Sequence, residues 1–235
     1  MKPYQQIVIV ECGEPLTAIP LEQFAVVSPH PYEKLGATYG DRSPYYLRQS
    51  VLESLIAAQH QLAVTNPGWR IDLFDAYRPV EVQQFMVDYT FAEVVQAQGL
   101  NLAELTEAQR QAIWEIVYQF WAPPNLDPAT PPPHSTGAAV DITLVDNTGK
   151  TIEMGGEIDE ISARSHPDYY ANSTQAIEQQ YHFHRQLLND VMLQAGFRRH
   201  PNEWWHFCLG DQMWAWLCNQ ENPHHPVTAR YGRVA

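Results

Sequence analysis

Six of the eleven residues from 123 to 133 are proline: Pro123, Pro124, Pro128, Pro131, Pro132 and Pro133. Proline fixes φ and has no backbone N–H, so neither a helix interior nor a central strand can pass through this stretch. The chain is therefore cut into two differently patterned halves. Before the cut, apolar residues recur at helical spacing. After it come short apolar runs, and the first of them opens directly behind the prolines, at His134. Whatever the segment at 134–145 does, a rigid extended lead-in carries it into place.

On the N-terminal side, residues 5–11 are rich in Ile and Val and read as a strand. Residues 44–65 place Leu47, Val51, Leu55, Ile56 and Leu62 on one helical face. Pro67 and Gly68 break that helix, and residues 70–76 alternate as a strand. Pro79 suits the first turn of the next helix, which runs to about residue 97, because its missing N–H would be unpaired there anyway. Thr106 and Gln109 have capping-box spacing ahead of a helix over about 107–121. On the C-terminal side, 138–145 and 151–154 read as the strands of a hairpin, with 146–150 turning between them. A loop over 156–173, a helix over about 174–195 closed by Gly196, a buried strand at 203–209, a short helix at 211–219 and a loop-like tail at 220–235 complete the chain. Helices and short strands without regular β-α-β alternation imply an α+β fold, a central antiparallel sheet flanked by helices. The 235 residues are expected to form a single domain.

Charge narrows the partners. With 14 basic and 27 acidic side chains the net charge is −13, which repels phosphate backbones and anionic lipid, so no nucleic acid and no membrane partner is expected. No apolar stretch reaches spanning length, and the run Ile7–Val10 is too short for a signal-peptide core. Three cysteines (Cys12, Cys208, Cys218) without a C-x-x-C fit a reducing cytoplasm better than a disulfide framework.

Three short segments carry chemistry. His134 and Asp141, seven residues apart around the small Gly137 and Ala138, offer an imidazole and a carboxylate, both good zinc ligands; alone, such a pair is as well read as a surface hydrogen bond. Glu203 and His206 bracket Trp204 and Trp205. The bulky rings would shed water and raise the pKa of Glu203 towards that of a general base. Residues i and i+3 of an ideal strand face opposite ways, so the chain must bend there or Glu203 must precede the strand. Arg78 stands where a strand gives way to a helix, and its fork of donors could stabilise an oxyanion or simply pair with Asp75 or Asp72.

Taken in order, FDAYRP at 74–79, HSTGAAVDITL at 134–144, MGGEIDEISARSH at 154–166 and EWWHF at 203–207 resemble the zinc D-alanyl-D-alanine dipeptidases of the VanX type, which share a fold with Hedgehog signalling domains. The resemblance covers about residues 70–210. It implies one Zn²⁺ per chain on His134, Asp141 and His206, Glu203 as the base that activates water, and Arg78 stabilising the developing oxyanion. It also implies that Asp159 receives the free amine of a small D,D-dipeptide substrate, with Glu157 and Glu160 as neighbouring alternatives and Tyr32 or Tyr39 as candidate companions. The family often has serine two residues before the first His ligand, and this chain has Pro132. A D,D-carboxypeptidase acting on longer wall stems and a zinc-stabilised binding module are the rival readings.

The remaining histidines read as structural. His182 and His184 do not share a helical face, His224 and His225 lie in a polar tail, His166 is a candidate for orienting the pocket, and His30, His60 and His200 read as surface or capping residues.

Overall fold

The computed structural model describes residues 2–234. Its elements run β1 (Leu16–Ala18), β2 (Ala25–Val26), α1 (Pro31–Leu35), β3 (Tyr46–Arg48), α2 (Gln49–Thr65), β4 (Arg70–Asp75), α3 (Val80–Ala97), α4 (Glu107–Phe120), β5 (Ala139–Val145), α5 (Ala176–Gln194), β6 (Arg198–Arg199), β7 (His206–Cys208) and α6 (Gln212–Glu221). Local chemistry sets several boundaries. Pro79 sits just ahead of α3 as its N-cap. The Thr106 hydroxyl accepts from Gln109 N at 3.3 Å while Gln109 Oε1 accepts from Thr106 N at 2.9 Å, closing a capping box on α4.

The fold is α+β. Five strands form the main sheet in the order β2-β4-β5-β7-β6, antiparallel throughout except for the parallel β2–β4 pair. β1 and β3 make a separate two-stranded sheet. Strand residues alternate between faces, and this divides the work. Ile71, Leu73, Val140, Ile142, Leu144 and Phe207 face a core closed by α2 and α5 through Val51, Leu55, Leu62, Leu188 and Met192. Each such fully buried leucine contributes roughly 1.5–3 kcal/mol. The other face of β5 and β7 carries Ala139, Asp141, His206 and Cys208. α3 and α4 pack on one another beside the sheet through Met86, Phe91, Ile113, Val117 and Trp121, with Tyr32 and Tyr39 joining them.

Three expected strands form differently. Residues 5–11 make no strand: Pro3–Gln6 is a 3-10 turn, and the rest touches the tail through a single bridge, Ile9 to Ala229. Val8 and Val10 are 66% and 58% exposed, so this apolar run has no buried face to hold a ladder. The hairpin partner at 151–154 is reduced to one bridge, Thr151 to Val145, with Ile152 N donating to Leu144 O at 2.8 Å. The last strand is confined to 206–208, and Glu203 precedes it in a turn. Among the described residues no helix is long and apolar enough to cross a membrane.

Candidate metal centre and its pocket

The site is built on a row across three strands. Asp75 on β4 pairs with Asp141 on β5, which pairs with His206 on β7. Leu73 opposes Ile142 on the core face, yet two residues on Asp75 opposes Asp141 on the other face. The bulge between them accounts for the switch: one extra residue on β4 turns Asp75 out of the core and into the site.

His134 joins this row from the 3-10 turn Pro133–Thr136. Arg78 N donates to His134 O at 3.2 Å, and His134 Nδ1 lies 2.7 Å from Ala76 O, so the loop and the end of β4 hold each other. Gly137 ends the turn at φ 70°, its carbonyl accepting from Arg48 N at 2.8 Å. A side chain there would be strained by the positive φ and would crowd the end of Leu16, so the turn favours glycine.

Because Nδ1 of His134 donates to a carbonyl, the neutral ring turns a lone pair on Nε2 towards the row. That atom lies 3.1 Å from His206 Nδ1 and 3.1 Å from Asp141 Oδ2, and His206 Nδ1 lies 3.0 Å from Asp141 Oδ1. All three residues are buried. Four-coordinate zinc with bonds of about 2.0–2.1 Å needs ligand atoms about 3.3 Å apart, close to these separations. Two imidazole nitrogens and a carboxylate also form a donor set that zinc accepts, so the residues fit a metal ion. Burial opposes charge on Asp141, but His134 and His206 outweigh it and hold the carboxyl well below its ordinary range. His206 is pushed down by burial, and its Nε2 has no hydrogen-bond partner.

Glu203 and Arg78 line the same small pocket, whose walls include Phe120, Trp121, Pro133, Asp159, His200 and Trp205. Glu203 lies 3.9 Å from His206 and 3.7 Å from His200. Burial, and then repulsion from Asp141, drives its carboxyl well above the usual range, against the pull of Lys2. Both sequence readings of Arg78 are present in the geometry: it pairs with Asp75 at 2.8 Å and also reaches the pocket. Its Nη2 donates to Tyr32 Oη at 2.9 Å and to Asp141 Oδ2 at 3.2 Å, and its Nη1 to Gln83 Oε1 at 2.8 Å. Asp72 is not its partner.

The wall facing the metal corner belongs to Asp159. Its carboxylate accepts from Tyr32 Oη at 2.8 Å, and among the described residues it alone, glycines aside, has positive φ, at 63°. Such a backbone persists only where its surroundings impose it. The loop is anchored upstream of Asp159: Arg185 Nε on α5 donates to Met154 O at 2.7 Å, and Gly155 lies so close under Tyr170 and Tyr181 that a Cβ would come within 2.5 Å of either ring. Burial first, then Asp141, pushes the Asp159 carboxyl up to about 7. Glu160 is tied to Arg164 at 2.7 Å and Glu157 is exposed, so neither alternative is placed at the pocket.

Two histidines read from the sequence as surface or capping residues, His30 and His200, are interior. His30 caps α1, as a capping residue should, but it is also buried, with Nε2 3.2 Å from Asp75 Oδ1. Tyr39 donates to the same oxygen at 3.0 Å. His200 is buried against His206. Their signal lies in three-dimensional convergence on Asp75 and Glu203, and no spacing along the chain carries it. Conversely His166 is exposed, contributing only its carbonyl to Arg185 at 2.9 Å. Pro132 brings no side-chain donor, and its carbonyl accepts from Ser135 Oγ at 2.7 Å.

His134, Asp141 and His206 could together hold a metal ion, and buried Glu203 and Arg78 stand beside them, an arrangement of the kind a metallohydrolase uses on an α+β fold. The D-Ala-D-Ala dipeptidase family model matches residues 26–228, and the chain belongs to that family. Over its whole length it is 55% identical to a D-alanyl-D-alanine dipeptidase of Synechocystis sp., spanning 97% of that protein. It is 32% identical to the D-alanyl-D-alanine dipeptidase of Enterococcus faecium over 68% of this chain and 71% of that one. Among solved structures it resembles a mutant of the vancomycin-resistance D,D-pentapeptidase VanY in complex with Zn(II), with 20% identity and a TM-score of 0.46 over 78% of this chain and 84% of that one.

Proposed function

We propose that this chain, acting as one dipeptidase domain, hydrolyses D-Ala-D-Ala to two molecules of D-Ala with a single zinc ion held by His134, Asp141 and His206. The observation that carries the reading is the convergence of His134 Nε2, His206 Nδ1 and the Asp141 carboxylate within 3.1 Å of one another in a pocket that Glu203 and Arg78 share. Its full-length likeness to a D-alanyl-D-alanine dipeptidase supports the substrate class.

When bound, zinc supplies a Lewis acid for the scissile carbonyl and lowers the pKa of water towards about 7. The chain's own residues do the rest. Glu203, kept basic by burial, takes the proton from the attacking water and passes it to the leaving amine. The Arg78 guanidinium, locked by Asp75 and Gln83, faces the carbonyl oxygen as negative charge develops on it. Asp159, braced by the Tyr32 hydroxyl, pairs with the free ammonium. An acylated chain would leave that carboxylate without a counter-charge, so the pocket selects dipeptides. A cytoplasmic setting, where the free dipeptide rather than the intact wall stem is met, belongs to the same reading.

The test is to incubate the zinc-loaded protein with D-Ala-D-Ala and with a pentapeptide stem ending in D-Ala-D-Ala and to measure free D-Ala. Release from the dipeptide alone supports the reading. Release from the stem at an equal rate makes the chain a carboxypeptidase, and release from neither leaves it a binding module.

A further inference from the structure

A free D,D-dipeptide has two charged ends, and the residues discussed so far provide for one. Asp159 with Tyr32 offers an anionic partner to the ammonium. The carboxylate end needs a cation or several donors, and the pocket offers few. The proline wall at 131–133 has neither backbone N–H nor side-chain donor. Arg78 lines the pocket, but its Nε, Nη1 and Nη2 already serve Asp75, Gln83, Tyr32 and Asp141.

The other cationic side chain lining the pocket is Lys2. Its ammonium carries three donors and gives one long bond to Trp121 O at 3.5 Å; it lies near enough to Glu203 to feel that carboxylate's charge, but makes no direct carboxylate ion pair among the described residues. The chain around it is firmly placed. Lys2 N donates to Gln5 Oε1 at 2.8 Å across the turn Pro3–Gln6. Tyr4 is buried against Ala139, Cys208 and Met213. Gln212 Nε2 on α6 donates to Ile7 O at 2.7 Å and to Ala129 O at 2.9 Å. A long, partly buried side chain is thus delivered by a fixed backbone into a pocket whose other cation, Arg78, is already engaged.

We propose that Lys2 binds the C-terminal carboxylate of the substrate and so makes a free carboxylate on the leaving residue a requirement of this pocket. Lys2 is then a specificity-determining residue at the opposite end of the substrate from Asp159. The proposal rests on the dipeptidase reading, and its test separates the two.

The full-length, zinc-loaded protein and its Lys2→Met and Lys2→Arg variants are compared on D-Ala-D-Ala and on its C-terminal amide, measuring D-Ala release, KM and kcat. Wild type is expected to prefer the free acid by about 10²-fold in kcat/KM. Lys2→Met is expected to raise KM for the acid by about 10–100-fold, the scale of losing a charge-assisted hydrogen bond, and to shrink the preference to about threefold or less, with Lys2→Arg restoring most of it. Lys2→Met with wild-type KM and preference overturns the proposal and leaves the dipeptidase reading standing. Loss of cleavage of both compounds in Lys2→Met and Lys2→Arg alike assigns Lys2 a structural role and overturns it too. If wild type cleaves neither compound, the dipeptidase reading falls and takes the proposal with it.

Discussion

The two sides of the pocket are made in different ways. The metal corner is built by regular structure: Asp75, Asp141 and His206 lie in register across β4, β5 and β7, and His134 is strapped to the end of β4 by two hydrogen bonds. The substrate wall is assembled from pieces. Tyr32 comes from the five-residue helix α1, Asp159 from a loop held at positive φ, and Lys2 from the chain's first turn. Ligands must hold their positions to a few tenths of an ångström, and a strand ladder does that. A wall that recognises the two ends of a small substrate can be supplied by loops, provided each is pinned from behind.

If the corner is a metal site and the wall is not, damage should differ in kind. The largest effect is expected at the corner: His134→Ala or His206→Ala should lose the metal, measured by elemental analysis, and with it all D-Ala release. Full metal content in either variant would remove that residue from the ligand set. Next comes Arg78, which bridges the two sides. Arg78→Ala should keep the metal and lower kcat by about 10²–10³, more than it raises KM, because the charge it faces appears only in the transition state. An unchanged kcat would return Arg78 to its ion pair with Asp75. On the wall, Asp159→Asn should keep the metal and reduce the preference for D-Ala-D-Ala over its N-acetyl derivative by on the order of 10²-fold. A variant that still rejects the acetylated compound would show that the ammonium is bound elsewhere.

The smallest effect lies outside both sides. Asp72, also on β4, has its carboxyl pushed up to about 6 by burial, with Arg70 pulling it back only in part. The folded protein therefore holds this proton more tightly than the unfolded chain, whose pKa stays near 3.8. Stability from this group is full below about pH 4 and is lost as pH rises through about 6. Asp72→Asn should raise stability at pH 7 by on the order of 1–2 kcal/mol, allowing for solvent screening, and make no difference at pH 4. Urea denaturation at the two pH values measures it, and a pH-independent difference would assign the gain to packing.

The same contrast governs how much the sequence reveals. Residues 139–145, β4 and the long helices were legible because each has its own period, whereas His134, Asp141, Glu203 and His206 were picked out as a set by resemblance, since the pair at 134 and 141 alone reads as well as a surface hydrogen bond. Asp159 and the choice of Tyr32 over Tyr39 followed from resemblance and geometry, since nothing local marks a loop carboxylate at φ 63°. His30 caps α1, as the sequence allowed, but its burial against Asp75 and that of His200 against His206 were not legible, because both depend on how the chain packs in three dimensions. The strand expected at 5–11 failed for a related reason: its Ile and Val pattern is real, but no apolar face waits to receive it.

The most direct measurement is zinc content together with D-Ala release in Glu203→Gln. Glu203 sits 3.9 Å from His206, near enough to be mistaken for a fourth ligand, and only a base keeps the two readouts apart. The expected result is about one zinc per chain, as in wild type, with the rate of D-Ala release lowered by about 10²–10⁴. A variant that loses its zinc, or one that keeps both its zinc and its rate, would contradict the assignment of Glu203 as the base beside a His134–Asp141–His206 metal centre.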